Sequence, residues 1–273
     1  MKINTSKILK NGRSLLLAYD QGLEHGPKDL NLLTSDPKYI FDIALEGMYN
    51  GVIVQAGIAE KYYHGYYKDV PLVIKLNGKT SFMDVAPISR QNCSVDRAIK
   101  LGASAVGYTI YTGSPHEAEM FVEFSNIVEK AHDYGIPVIA WMYPRGPKIA
   151  NDLDTDVLAY SARVGLELGA DFLKMKYNNN PEGFKWAVRC AGRAKVLVAG
   201  GAEMEEHAFL RMADEIMKTG AAGIAVGRNV WQHDKPYSIT TAIRKLIHEG
   251  MSIDDALKLY EAEAHKEASK KPN

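Results

Sequence analysis

Only two cysteines, Cys93 and Cys190, occur in the 273 residues, and they stand in no CxxC or metal-ligand spacing. That scarcity argues against a disulfide framework and makes a reducing cytosol the expected location. A surplus of charge is lacking too. The 33 Lys and Arg residues are matched by 33 Asp and Glu, so no global field draws the chain to nucleic acid or to an acidic membrane surface, and neither is expected as a partner. No run of eighteen apolar residues is present, and Met1 to Arg13, with Lys2, Lys7 and Lys10, lacks an apolar stretch of signal-peptide length. Nothing therefore addresses or spans a membrane. Several cofactor and metal motifs are missing as well. No GxGxxG follows the first apolar run, Gly78-Lys79-Thr80 has Val73 where a Walker A loop needs glycine, and His116-Glu117 lacks the second histidine of HExxH. Neither a metal nor a dissociable cofactor is expected.

What is present is alternation. Eight short runs rich in Val, Ile and Leu read as strands: 14–20, 51–55, 71–76, 103–108, 137–143, 171–176, 195–199 and 223–226. Segments with helical periodicity lie between them, at 37–49, 95–101, 115–134, 156–168, 181–191 and 204–219. Several of these end at glycine, as in Leu101-Gly102, Tyr134-Gly135, Leu168-Gly169 and Thr219-Gly220, the usual helix stop before a chain reversal. Eight βα units with right-handed crossovers close into a barrel, so the expected fold is α/β, a single (β/α)8 TIM barrel over 1–273. A last amphipathic helix starts near Ser252, and the polar end, about 266–273, is expected to fray.

Barrels of this kind place their chemistry where the strands end. Phe172-Leu173-Lys174-Met175-Lys176 sets two lysines at strand spacing, hence on one face, at the end of a buried run. A lysine kept in apolar surroundings beside a second cation resists protonation, and a neutral amine is what Schiff-base formation needs. The same pair reads equally as one lysine snorkelling to the rim and one paired with a carboxylate. Gly200-Gly201 after the seventh strand and Gly227-Arg228 after the eighth fall where barrels bind phosphate, though glycines there also serve plain tight turns. Asp20 opens a loop, with Glu24 and His25, able to move protons or hold hydroxyls; a turn aspartate is the alternative. Trp141 and Tyr143 share parity, and Arg145 follows in a proline-turned loop; they face the barrel mouth or are core aromatics. Tyr62 to Tyr67, with five aromatic or histidine side chains in six positions, reads as a subunit interface or an active-site flap.

Together, 18–27, Tyr143-Pro144-Arg145-Gly146, Gly169-Ala170-Asp171 through Lys174, Val198-Ala199-Gly200-Gly201 and Gly223 to Asn229 resemble the archaeal-type class I fructose-bisphosphate aldolases, the DhnA family, nearly end to end. The resemblance implies a Schiff base on Lys174, proton transfer by Tyr143 and assistance from Asp20. It also implies a phosphate grip from the glycine pairs and Arg228. Beside these, Trp141, Arg145, His25 and Lys176 are expected as substrate contacts from their places at the strand ends. Phosphorylated ketose and aldehyde substrates, a role in glycolysis or gluconeogenesis, and a homo-oligomer, a decamer in the family, follow from the resemblance. The family includes members that transfer a dihydroxyacetone-phosphate unit to methylglyoxal for aromatic amino acid precursors, and an amino-dideoxy-heptulosonate synthase; Trp141 leans toward the aldolase branch. A non-covalent phosphosugar isomerase or lyase using Asp20 and Tyr143, and a non-catalytic phosphosugar-binding barrel, stay open beside it.

Overall fold

In the computed structural model, which describes residues 3–82 and 86–269, the eight runs become eight parallel strands. They are β1 (Ser14–Ala18), β2 (Gly51–Gln55), β3 (Leu72–Lys75), β4 (Ala103–Ile110), β5 (Val138–Met142), β6 (Phe172–Met175), β7 (Lys195–Ala199) and β8 (Gly223–Val226). Each pairs with the next, and β8 pairs with β1, so the sheet closes on itself. Closure removes both edges, which no open parallel sheet can do. At the seam Ser14 lies opposite Gly223, and a Cβ at Gly223 would stand 1.7 Å from the Ser14 carbonyl oxygen. Only a residue without a side chain fits there.

The helices follow the strands. Two short pieces, α1 (Gly22–His25) and a 3-10 turn (Gly26–Asp29), occupy the loop after β1, and α2 (Pro37–Glu46) packs outside it. Next come α3 (Ala56–Tyr62), α4 (Val95–Lys100), α5 (Glu117–Asp133), α6 (Thr155–Glu167), α7 (Pro181–Cys190) and α8 (Glu206–Lys218). After β8 the chain forms α9 (Arg228–Trp231), α10 (Pro236–Glu249) and α11 (Ile253–Ser269). Local chemistry sets several starts: Asp36, Ser94, Asp154 and Asn180 each accept a backbone N–H of the first turn with their side chains. The polar end is helical as far as Ser269, further than the expected fraying point near 266; 270–273 lie outside the described residues.

Two apolar layers result from strand alternation. Leu15, Leu17, Val52, Val54, Leu72 and Ile74 face the helices, whereas Leu16, Ala18, Ile53, Val73, Ile139 and Phe172 fill the bore. Ile8, from the segment before β1, is fully buried in the bore layer. The parity has a functional outcome. Continuing the inward rows by two residues turns Ala18 into Asp20, Val73 into Lys75 and Phe172 into Lys174, with Trp141 following Ile139 among them, so ionisable groups replace apolar ones in the bore at the strand ends.

The aromatic segment at 62–67 is divided between fold and surface: Tyr63 is buried, Tyr66 half-buried, and Tyr62 and His64 are exposed. Tyr63 is buried and donates to the Val70 carbonyl at 2.7 Å. Tyr66 stacks on Phe41 at 5.1 Å and donates to Asp42, so both tie the end of α3 to α2. Tyr67 is left exposed, with Lys68 against its ring. Among the described residues no helix is long and apolar enough to cross a membrane.

Candidate active site

A cavity of about 480 Å³ opens at the strand ends, bordered by Asp20, His25, Trp141, Tyr143, Arg145, Lys174, Lys176, Gly200, Gly201, Gly227 and Arg228; none of residues 62–67 borders it. Its centre is an indole shared by two lysines. The Lys174 Nζ lies 5.0 Å from the Trp141 ring centroid and the Lys75 Nζ 5.7 Å from it, both within cation–π range. Room for this ring comes from β4. Gly107 lies beside Lys75 in the ladder, and a Cβ there would come within 1.8 Å of the indole. A strand position without a side chain lets Trp141 reach from β5 across β4 toward β3.

Carboxylates separate the two lysines. Lys75, 2% exposed, contacts Asp20 Oδ2 at 3.3 Å and Glu24 Oε1 at 2.9 Å. Burial pushes its pKa down, but Asp20 and Glu24 outweigh burial and raise it, so Lys75 stays charged. Lys174, 5% exposed, has a single longer contact, 3.9 Å to Asp20 Oδ1. There burial dominates, the Lys75 charge adds to it, and Asp20 and Glu24 recover only part, so its pKa falls below that of an ordinary lysine. Burial pushes the Asp20 carboxyl up, yet the Lys174 and Lys75 ammonium groups together hold it low and ionised. Tyr143 is shifted well up, first by burial and then by the charges of Asp20 and Glu24, with Arg145 opposing. Its resting form is therefore the neutral phenol, a proton donor.

The second cation beside Lys174 is thus Lys75, not the expected Lys176. Strand β6 ends at Met175, so the alternation that would have put Lys176 on the same face stops before it. Lys176 is 39% exposed at its side chain and pairs with Asp152 of the β5–α6 loop at 2.5 Å. Lys176 is thus both the rim lysine and the one closely paired with a carboxylate, while Lys174 stays buried.

On the opposite flank, the loops after β7 and β8 are tied together by Asn229, buried at 3% exposure. Its side chain donates to the Gly200 and Ala202 carbonyls at 2.7 and 2.9 Å and accepts from the Met204 N–H at 2.8 Å. Gly201 takes φ +75°, a conformation glycine adopts without strain. Arg228 reaches back to the Gly201 carbonyl at 3.2 Å and to Asp29 Oδ2 at 3.6 Å. His25 Nδ1 meets the same Asp29 oxygen at 2.7 Å, so the loop after β1 is fastened beside the β8 loop. A cation, two glycines and fixed backbone are the elements from which an anion cradle is built. Among the described residues no group of three or more His, Cys, Asp or Glu side chains is placed to hold a metal ion.

Residues 14–233 match the DeoC/LacD family of aldolases. The chain belongs to that family. It is 46% identical over 251 residues to the class 1 fructose-bisphosphate aldolase of Thermoproteus tenax, covering 91% of this chain and 94% of that protein. It is 37% identical to the fructose-bisphosphate aldolase/6-deoxy-5-ketofructose 1-phosphate synthase of Methanocaldococcus jannaschii, covering 92% and 86%. Among solved structures, an archaeal fructose-1,6-bisphosphate aldolase whose catalytic lysine carries the carbinolamine intermediate of its substrate superposes with a TM-score of 0.85. That protein is 45% identical, over 89% of this chain and 97% of its own. The fructose-bisphosphate aldolase from Slackia heliotrinireducens superposes with a TM-score of 0.88 at 30% identity, over 95% and 88%.

Several residues of this aldolase escaped the sequence reading as site residues. Lys75 was visible as a strand-end lysine, but only the ladder shows it sharing an indole with Lys174. Glu24 stands in the loop that Asp20 opens, and spacing gives no hint that its carboxylate meets Lys75. Asn229 carried the signal of a polar residue directly after Gly227-Arg228. Tyr111, one residue past β4, supports the Arg145 guanidinium 5.1 Å above its ring. Its hydroxyl and the Trp141 Nε1–H are buried with no hydrogen-bond partner among the described residues.

Proposed function

We propose that the chain is a class I, Schiff-base aldolase that cleaves and forms fructose 1,6-bisphosphate from dihydroxyacetone phosphate and glyceraldehyde 3-phosphate. The observation that carries the reading is Lys174, a buried amine whose pKa is depressed by burial and by a neighbouring cation, at the mouth of a barrel. Neutral Lys174 adds to the C2 ketone. Tyr143, neutral at rest, gives its proton to the carbinolamine hydroxyl, which departs as water and leaves an iminium balanced by the Asp20 carboxylate. The phenolate so formed takes the C4 hydroxyl proton as the C3–C4 bond breaks, releasing glyceraldehyde 3-phosphate and an enamine. Protonation at C3 and hydrolysis return dihydroxyacetone phosphate and the free amine. Gly200, Gly201, Gly227 and Arg228 hold the C1 phosphate, which fixes C2 against the amine. Trp141 and His25 line the donor half; Arg145 and Lys176 lie toward the acceptor. No metal or dissociable cofactor takes part, so turnover survives EDTA.

A second reading keeps the same donor half and changes the acceptor to methylglyoxal, giving 6-deoxy-5-ketofructose 1-phosphate; the similarity to the bifunctional Methanocaldococcus protein favours keeping it. We place the enzyme in the cytosol as a homo-oligomer, a decamer by family likeness. Tyr160 of α6 and Trp186 of α7, 74% and 51% exposed, offer aromatic surface for subunit contact.

The test is borohydride reduction in the presence of dihydroxyacetone phosphate, peptide mass spectrometry of the product, and rate measurement with both aldehydes. An adduct on Lys174 supports the covalent reading. Binding without any adduct would favour a non-covalent isomerase or lyase instead.

A further inference from the structure

The acceptor side of the cavity holds two cations in different states. Arg145 rests on the Tyr111 ring, an arrangement that orients its guanidinium and leaves the N–H fork free of any carboxylate among the described residues. Lys176 is committed: its Nζ lies 2.5 Å from Asp152 Oδ2. Asp152 belongs to the loop between β5 and α6, so the pair draws Lys176 toward β5, away from the anion cradle after β7 and β8. Both side chains are about one third exposed, 39% and 31%, so ligand and water reach them. The Lys75 pair, 3% exposed on its lysine side chain, is by contrast sealed into the fold.

We propose that Lys176 and Asp152 form an exchangeable clamp that grades aldehydes by whether they carry a phosphate. The proposal rests on the aldolase reading above. A phosphate monoester brings close to two negative charges at neutral pH, against one for Asp152. It also presents three acceptor oxygens to the three donors of an ammonium group. A phosphorylated aldehyde, or the ketose bisphosphate made from it, displaces the carboxylate and takes Lys176. An unphosphorylated aldehyde has nothing to exchange and leaves the pair closed. Asp152 therefore opposes the phosphorylated substrate alone, since only that substrate must open an ion pair, and it narrows the gap between the two classes. A partly exposed pair is weak enough to open without a large barrier.

The test compares fructose 1,6-bisphosphate with fructose 1-phosphate, which differ only in the C6 phosphate, in wild type, K176M and D152N. K176M is expected to lose roughly 10- to 100-fold in kcat/KM for the bisphosphate, the range of a lost charged hydrogen bond. Its rate with fructose 1-phosphate changes far less, which also shows that the variant folds. D152N is expected to raise kcat/KM for the bisphosphate roughly two- to fivefold, the weight of an exposed ion pair, with little change for the monophosphate. Equal losses on both ketoses in K176M would place Lys176 at the donor phosphate and overturn the proposal. A D152N variant that falls with the bisphosphate as K176M does would show that Asp152 only props Lys176 in place, and would overturn it too. Trapping of dihydroxyacetone phosphate on wild-type Lys174 tests the aldolase reading separately. Were that reading to fail, calorimetric affinities of the same three proteins for glyceraldehyde 3-phosphate and glyceraldehyde still decide the exchange.

Discussion

The β3 and β6 sides of the barrel mouth each bury a lysine against the same indole and give the two opposite protonation tendencies. Burial acts downward on both. What differs is the loop after β1, which sends Asp20 and Glu24 to the β3 side at 3.3 and 2.9 Å and leaves Lys174 with one contact at 3.9 Å. Burial alone thus does not lower a lysine's pKa. The pair works as a unit in which one lysine absorbs the carboxylates and its retained charge presses protons off the other.

The comparison breaks most completely by removing the amine itself. K174M should abolish borohydride trapping and lower turnover by about 10⁴-fold or more, as loss of a covalent nucleophile does; an adduct persisting on Lys75 or Lys176 would show that the neutral amine lies elsewhere. Removing the proposed proton donor comes next. Y143F should lower kcat for cleavage by roughly 10²- to 10⁴-fold, with the substrate still bound, read from single-turnover kinetics against KM. K75M attacks the difference between the two sides. It removes the neighbouring charge and releases Asp20 and Glu24 to Lys174, so both changes raise the Lys174 pKa. Because the free amine forms above that pKa, the rising acidic limb of kcat/KM should move to higher pH, with a loss of roughly tenfold at neutral pH. An unmoved limb would mean that burial alone sets the amine. Opening this buried pair should also lower unfolding stability by about 3–5 kcal/mol in denaturant melts. The mildest change is G107A. Its methyl meets the indole, so Trp141 must shift at a cost of about 1–3 kcal/mol, and both cation contacts loosen together; quenching of Trp141 fluorescence relative to wild type reports the displacement.

Much of this was legible in the chain. All eight strands stand within a few residues of the apolar runs, because a parallel sheet covered on both faces needs near-continuous Val, Ile and Leu and leaves little ambiguity. Residues at the ends of those runs reach the cavity for the same geometric reason. Lys176 reaches the cavity too, but spacing alone does not show that β6 stops at Met175 and that its ammonium turns to Asp152 rather than standing beside Lys174. Lys75 as a partner of Lys174, and Gly107 as the gap that makes the partnership possible, are relations among β3, β4, β5 and β6, which no local pattern encodes. The aromatic segment is split in a way composition cannot show: the Tyr63 hydroxyl finds a buried carbonyl and that of Tyr66 finds the half-buried Asp42, while Tyr62, His64 and Tyr67 stay at the surface.

The ring of strands also constrains how the protein is made. Trp231, just beyond β8, donates its indole N–H to the Ala18 carbonyl at the end of β1, a bond between residues 213 apart in sequence. A ribosome adding 5–20 residues per second takes roughly 10 to 40 s to cover that distance. Throughout that interval the emerging chain carries a parallel sheet with its first edge unpaired. Such an edge is the part of a nascent barrel most able to join a neighbour, and therefore the natural place for a molecular chaperone to act until the last strand arrives.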